Sequence, residues 1–416
     1  MTVSGSTSRP APSIPVPTPS GTPHPTKSPI PTLFTPLTIR CLTLQNRLVV
    51  SPMGTWSAVN GHLTDFHIAH HGAFATRGTA LTIIEATSVT ANGRTSPQDA
   101  GLWTDSQIAP LKRVVDFVHA QGQKIGIQLN HAGRKAGMLA PKVCPGGVPT
   151  VAMEQEGGWP GNIWGPCPIR YSDAYVLPRV MSLEDIEGVV KAFADAAGRA
   201  VTAGVDLIEV HAAHGYLIHQ FLSPLSNTRT DEYGGSFENR TRFLRRIIQT
   251  IRDTVPESVV VSVRISATDW MEWSGKPSWT LDQSIELAKL LPALGVDIID
   301  VSSAGLVEEQ KIEITRTYQL DLAGAVRRAL RESGYELLVA AVGFIKSPGT
   351  ARDVVQASRL EIDEADGSEK AQKADLAFVG RQFLREAGFV LRCAQELGVE
   401  VEWAYQYDMA RPRDRS

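Results

Sequence analysis

The residues of this 416-residue chain whose types and spacing suit chemistry are polar groups that close short apolar runs. His211 and His214 are separated by Ala212 and Ala213, and Tyr216 follows two residues on. Two imidazoles so placed could chelate a metal, pair as structural hydrogen-bonding groups, or donate to the oxygen of a ligand, and the phenol could deliver a proton into the same pocket. The small alanines suit close packing under a flat ligand, and no third ligand of matching type stands at a neighbouring run, so ligand recognition is favoured and no metal is expected. Gln128 and Asn130, Arg264, Ser302 and Ser303, and Arg381 end other runs in the same way. In Val342-Gly343 and Val379-Gly380-Arg381, glycine lets backbone N–H groups approach an anion, and arginine can clamp a phosphate with two parallel hydrogen bonds. A phosphorylated ligand or cofactor is expected there.

Eight apolar runs position these residues: Leu48 to Met53, Ala80 to Thr87, Lys124 to His131, Asp206 to Ala213, Val259 to Ser266, Asp297 to Ser303, Glu336 to Gly343 and Ala374 to Arg381. Most are continuously apolar, as strands buried on both faces must be, and the segments between them are long enough for crossover helices. Ser182 with Asp185 three residues on starts one such helix, whose apolar spacing runs through Ala200. Eight βα units predict an α/β chain closed into a (β/α)8 TIM barrel, with the polar residues at the carboxyl ends where such barrels work. No G-x-G-x-x-G follows a strand to suggest a dinucleotide fold. The stretch 136–180, rich in Gly and Pro, follows the third strand and is expected over the catalytic face. The acidic stretch 361–373 precedes the eighth strand and is expected at the opposite face. The first 31 residues, dense in Pro, Ser and Thr with only Arg9 and Lys27 as fixed charges, are expected to form a disordered tail, leaving 32–416 as one domain.

Forty-one Lys and Arg against forty-four Asp and Glu give a formal charge of −3, so there is no basic excess for a nucleic-acid partner. No apolar run is long enough to span a membrane, and the N-terminus lacks the pattern of a signal peptide. Cys41, Cys144, Cys167 and Cys393 form no C-x-x-C pair, which suits reduced thiols in the cytoplasm.

With these residues in view, the chain resembles the old yellow enzymes, FMN-dependent ene reductases, and within them the bacterial-type "thermophilic-like" subgroup. The resemblance runs from Leu33-Phe34-Thr35-Pro36 to Gln406-Tyr407. Its most specific stretches are Asn46-Arg47 with Ser51-Pro52-Met53, Ile125 to Leu129 running into His131-Ala-Gly-Arg-Lys135, and His211 to His219, followed by Phe221 to Asn227 and Arg229 to Gly235.

The resemblance implies that Ser51, Pro52, Met53, Gly54 and Ala86 line a flavin ring, that Gln128 hydrogen-bonds it, and that Arg264 meets its N1 and C2-carbonyl edge. It implies that Gly343, Gly380 and Arg381 hold the FMN phosphate. His211 and His214, with Trp56 beside them, would bind the carbonyl or nitro oxygen of an activated alkene. Hydride, drawn from NADPH or NADH through flavin N5, would then add to the β-carbon, and Tyr216 would protonate the α-carbon. Three departures stand out: Gly54 replaces the subgroup's cysteine over the flavin, with Thr55 one residue out of register; Trp56 replaces its pocket tyrosine; and Gln406-Tyr407-Asp408 is followed by Met409 in place of an arginine that reaches a neighbouring subunit. Arg411 or Arg413 is the candidate replacement, and a homo-oligomer is the matching expectation. A pathway-specific flavin oxidoreductase or isomerase, and a flavin-binding protein with little turnover, are the alternative functions.

Overall fold

The computed structural model describes residues 18–27, 29–362 and 369–412. Eight parallel strands close a barrel in which every strand neighbours the next in sequence. They are β1 (Leu48–Val50), β2 (Leu81–Ser88), β3 (Lys124–Asn130), β4 (Leu207–Ala212), β5 (Val260–Ser266), β6 (Ile298–Ser302), β7 (Leu338–Val342) and β8 (Leu376–Val379). Seven lie within their apolar runs, β2 ends one residue past its run, at Ser88, and β8 pairs with β1 to complete the (β/α)8 barrel.

The side-chain period of two sorts each strand into an outward and an inward column. Ile208 and Val210 on β4, Val261 and Val263 on β5, and Ile299 and Val301 on β6 pack outward in the core shared with the surrounding helices. The alternate residues form the inward columns: Leu207, Glu209 and His211; Val260, Ser262 and Arg264; Ile298, Asp300 and Ser302. Their lowest members, Leu207, Val260 and Ile298, belong to a second apolar cluster, capped by Ile39, Leu42 and Leu44 of the antiparallel pair Leu37–Ile39 and Leu42–Leu44. The barrel interior therefore passes from an apolar plug at the amino end to titratable groups at the carboxyl end. In sequence the gradient shows as polar residues at alternate positions of otherwise apolar runs: Glu209 and His211 on β4, Ser262 and Arg264 on β5, Asp300 and Ser302 on β6.

Helix α1 (Leu183–Ala203) starts where its capping box predicts: Asp185 N–H donates to Ser182 Oγ at 3.1 Å, and Ser182 N–H donates back to Asp185 at 2.7 Å. Gly204, at φ +97°, ends it in the left-handed conformation that glycine adopts without steric cost.

The Pro-rich N-terminal segment divides at Thr18. Residues 1–17 and 28 lie outside the described residues, whereas the chain from Thr18 to Pro31 is largely fixed on the barrel's amino end. Ser20 is buried, Asn46 donates to Gly21 O at 3.2 Å, and Gly21 N–H donates to Glu402 O at 2.8 Å. The disordered tail expected over the first 31 residues therefore does not include the described part of 18–31, which hydrogen bonds to residues distant in the chain hold in place. In the acidic insertion, Ser358–Ile362 pairs antiparallel with Glu369–Lys370, and 363–368 lie outside the described residues.

Candidate active site

Two adjoining cavities open at the carboxyl ends of the strands. One, of about 320 Å³, is lined by Arg264, His214, Ser302, Gly343 and Gly380, with Arg381, Arg385 and Lys346 towards solvent and no carboxylate in its wall. The other, of about 200 Å³, is lined by Pro52, Gly54, Trp56, Ala86, Gln128, His211, His214, Tyr216 and Arg264, together with Glu85, Thr95, Asp99 and Ala100. Arg264 and His214 line both, so the expected phosphate end and the expected reacting end meet at one guanidinium and one imidazole. Ser51 and Met53 line neither cavity but support them. Ser51 Oγ accepts from Arg264 Nη1 at 3.2 Å, and Met53 Sδ lies 3.5 Å from where a β-carbon at Gly380 would stand. Gly343 sits at φ +127°, a conformation that side-chain-bearing residues rarely adopt.

His211, His214 and Tyr216 form a compact aromatic group. The His211 ring lies 5.1 Å from that of His214 and 5.0 Å from that of Tyr216, edge to face in both cases. His211 Nδ1 accepts the Ala213 N–H at 3.2 Å, so its proton sits on Nε2, leaving that nitrogen to donate. His214 Nε2 lies 2.8 Å from Ser302 Oγ, and its backbone is held at φ +57° with its N–H donated to Ser266 Oγ. Burial, then the charge of Arg264, lowers both imidazoles well below their usual range, so both are neutral at pH 7. Burial raises the Tyr216 phenol, which therefore keeps its proton. Its hydroxyl forms no hydrogen bond among the described residues. The site thus offers two neutral imidazoles, with the His211 Nε2–H left to donate, and one protonated phenol. Among the described residues no cluster of three or more His, Cys, Asp or Glu is arranged to hold a metal.

The two positions that depart from the subgroup touch each other. The Trp56 indole lies 3.6 Å from the β-carbon position of Gly54, an ordinary van der Waals distance. Trp56 holds φ +51°, an outlier for a bulky residue that costs on the order of 1–3 kcal/mol, and remains 39% exposed. Thr55 does not replace the missing cysteine. Its hydroxyl donates to Glu85 Oε1 at 3.0 Å, where His67 Nε2 also binds at 3.0 Å, and its backbone N–H meets Glu85 as well.

Sequence reading missed the carboxylates beneath the site. Strand register sets Gln128 beside Glu209, Glu209 beside Ser262, and Asp300 beside Arg264. Gln128 Nε2 donates to Glu209 Oε1 at 2.9 Å, Ser262 Oγ lies 3.0 Å from Oε2, and Asp300 Oδ2 is 3.2 Å from Arg264 Nε. Both carboxylates are fully buried. A charged residue inside each apolar run was the available signal. Tyr318 and Gln319, from the start of the helix Tyr318–Glu332, also line the larger cavity and carried no such signal.

The model of the NADH:flavin oxidoreductase / NADH oxidase family matches residues 32–400. The chain belongs to that family. It is 46% identical over 385 residues to an NADH:flavin oxidoreductase of Gibberella zeae, covering 90% of this chain and 88% of that protein. It is 39% identical over 378 residues to an NADPH dehydrogenase of Bacillus subtilis, covering 90% of this chain and 98% of the relative. Morphinone reductase superposes with a TM-score of 0.68 at 25% identity, over 91% of this chain and 92% of that one. The chain is thus an old yellow enzyme-type, NADPH-dependent flavin oxidoreductase with FMN as cofactor. The donor set fits FMN. The larger cavity has a cationic mouth for a phosphate, and Arg264 retains N–H groups beyond the one given to Ser51.

The buried acids yield a pH prediction for this flavin oxidoreductase. Burial, then the Asp300 charge, pushes the Glu209 carboxyl from its ordinary 4.5 up to about 8. A carboxyl whose folded pKa exceeds its unfolded one contributes stability fully present below the unfolded value and lost as pH rises through the folded value. Glu209→Gln keeps an acceptor for Gln128 and a donor for Ser262 but cannot ionise. Its Tm is therefore expected to change little between about pH 6 and about pH 9, while that of the wild type falls by a few degrees; parallel Tm curves would refute this assignment.

Proposed function

We propose that this flavin oxidoreductase is an ene reductase acting on α,β-unsaturated carbonyl or nitro compounds. The observation that carries this reading is the convergence of two neutral imidazoles and one protonated phenol in a single cavity with Gln128 and Arg264. FMN, when bound, supplies the redox chemistry, taking two electrons from NAD(P)H and passing them to the alkene. Ser51, Pro52, Met53, Gly54, Ala86 and Gln128 would hold its ring, Arg264 its electron-rich edge, and Gly343, Gly380 and Arg381 its phosphate. A fixed guanidinium stabilises the negative charge that reduction brings. His211 and His214 donate to the substrate oxygen and so withdraw electron density from the β-carbon. Tyr216 gives its proton to the α-carbon. Because both imidazoles are neutral, oxygen binding should not follow a histidine titration near pH 7.

A second reading, an oxidoreductase or isomerase of one pathway intermediate, draws support from Trp56, whose indole lines the pocket beside Gly54. The four cysteines are free, which suits a cytoplasmic protein, and no helix among the described residues is long and apolar enough to cross a membrane. Arg411 lies 3.5 Å from Glu400 of its own chain, and Arg413 lies outside the described residues. An arginine shared between subunits would therefore have to leave that pair or come from Arg413.

Heating the purified yellow protein should release FMN and no FAD. Anaerobic NADPH should bleach the holoenzyme, and 2-cyclohexen-1-one should restore its colour. Bleaching without recovery on simple enones would favour the pathway-specific reading, and no bleaching would overturn both.

A further inference from the structure

A third cavity, of about 240 Å³, lies under the stretch 136–180 and shares Trp56, Thr95 and Tyr216 with the reacting pocket. Its remaining wall is largely apolar, with Met138, Leu139, Pro141 and Pro149 supplied by the loop. The loop is held in place from several sides. Trp159 Nε1 donates to Asn92 O at 2.9 Å, and the Trp164 ring stacks on that of His131 at 6.0 Å. Leu139 N–H donates to Thr150 O at 2.8 Å, tying the apolar rim to itself.

Lys135 is the single cation in this wall, and no carboxylate lines it. Its Nζ is already spent on His214 O and Gly305 O, each at 2.9 Å. The cavity therefore makes no electrostatic demand for an anion. An apolar cavity of about 150 Å³ holds a benzene molecule, so this lobe has room for one aromatic ring with substituents. Trp56 lines both spaces with Thr95 and Tyr216, and an indole packs well against a planar group.

From this continuity, and on the ene-reductase reading above, we propose that the outer lobe is a substrate subsite for a neutral planar apolar group, an aryl or fused-ring substituent carried by the activated alkene. His211 and His214 hold the oxygen of such a substrate, and its ring lies past Trp56 under the loop. The enzyme therefore favours aryl-bearing enones over short aliphatic ones with the same acceptor group.

The test fills the lobe from the loop side. In the holoenzyme, Leu139→Trp should lower kcat/KM for 4-phenyl-3-buten-2-one by about 10- to 100-fold, the scale on which apolar pockets discriminate, while leaving 3-penten-2-one within about twofold. Equal losses on both ketones with FMN content intact, or no loss on either, would overturn the subsite. If Leu139→Trp fails to retain FMN, Pro149→Trp on the exposed rim makes the same comparison. If the wild type reduces neither ketone, the underlying reading falls, and binding still judges the lobe. The oxidised holoenzyme should then bind 4-phenylphenol at least tenfold more tightly than phenol, and Leu139→Trp should remove that preference; equal affinities would reject it.

Discussion

Tyr216→Phe is expected to keep its FMN and to be bleached by NADPH as fast as the wild type, yet to return its electrons to an enone about 10²- to 10⁴-fold more slowly. The substitution removes only a hydroxyl from a ring that packs edge to face on His211 at 5.0 Å, so the aromatic group should survive it. Reduction by NADPH requires no proton from this phenol, whereas reduction of the alkene requires one at the α-carbon. Burial keeps the phenol protonated across the working pH range, so the wild-type contribution should not vanish in mildly alkaline buffer. Nitroalkenes should suffer less, because solvent can protonate the stabilised nitronate. Stopped-flow measurement of the two half-reactions separates the cases, and an unchanged oxidative rate with an enone would make another group or water the donor.

His211→Ala or His214→Ala should weaken enone binding and turnover by about 2.7 to 4 kcal/mol, the cost typical of losing one donor in an electrostatic site of this kind. FMN should remain bound in both variants. His214 also lines the larger cavity and approaches Ser302 Oγ at 2.8 Å, so its loss should disturb FMN affinity more than that of His211. Ligand titrations should show no histidine titration between about pH 6 and about pH 8, since burial and Arg264 hold both imidazoles neutral there. Chelators should have no effect. Activity lost to EDTA and restored by zinc would return the pair to a metal role.

The eight strands and their polar ends were legible in sequence for a local reason. A strand buried on both faces is written as a contiguous apolar run, and a polar residue at its carboxyl end stands out against that background. His211, His214, Tyr216, Gln128, Arg264, Gly343, Gly380 and Arg381 could be picked out on that basis, and the cavities bring them together. The resemblance assigned them roles that the residues alone left open.

What remained hidden depends on neighbours distant in the chain. Glu209 and Asp300 acquire meaning only from a parallel register that sets them beside Gln128, Ser262 and Arg264, because a strand does not encode which residue its neighbour presents. The same holds for the Trp56 ring beside Gly54, for Thr55 turning to Glu85, and for the Ala213 N–H that selects the tautomer of His211. It holds also for the Pro-rich segment, which composition marks as disordered, while Asn46, Gln123 and the Glu402 carbonyl fix its described part from Thr18 on. Periodicity and residue type thus determined the barrel and most of its reactive inventory. Tertiary packing decided protonation, tautomer and pocket shape, because each depends on groups that only the closed barrel brings within a few ångströms.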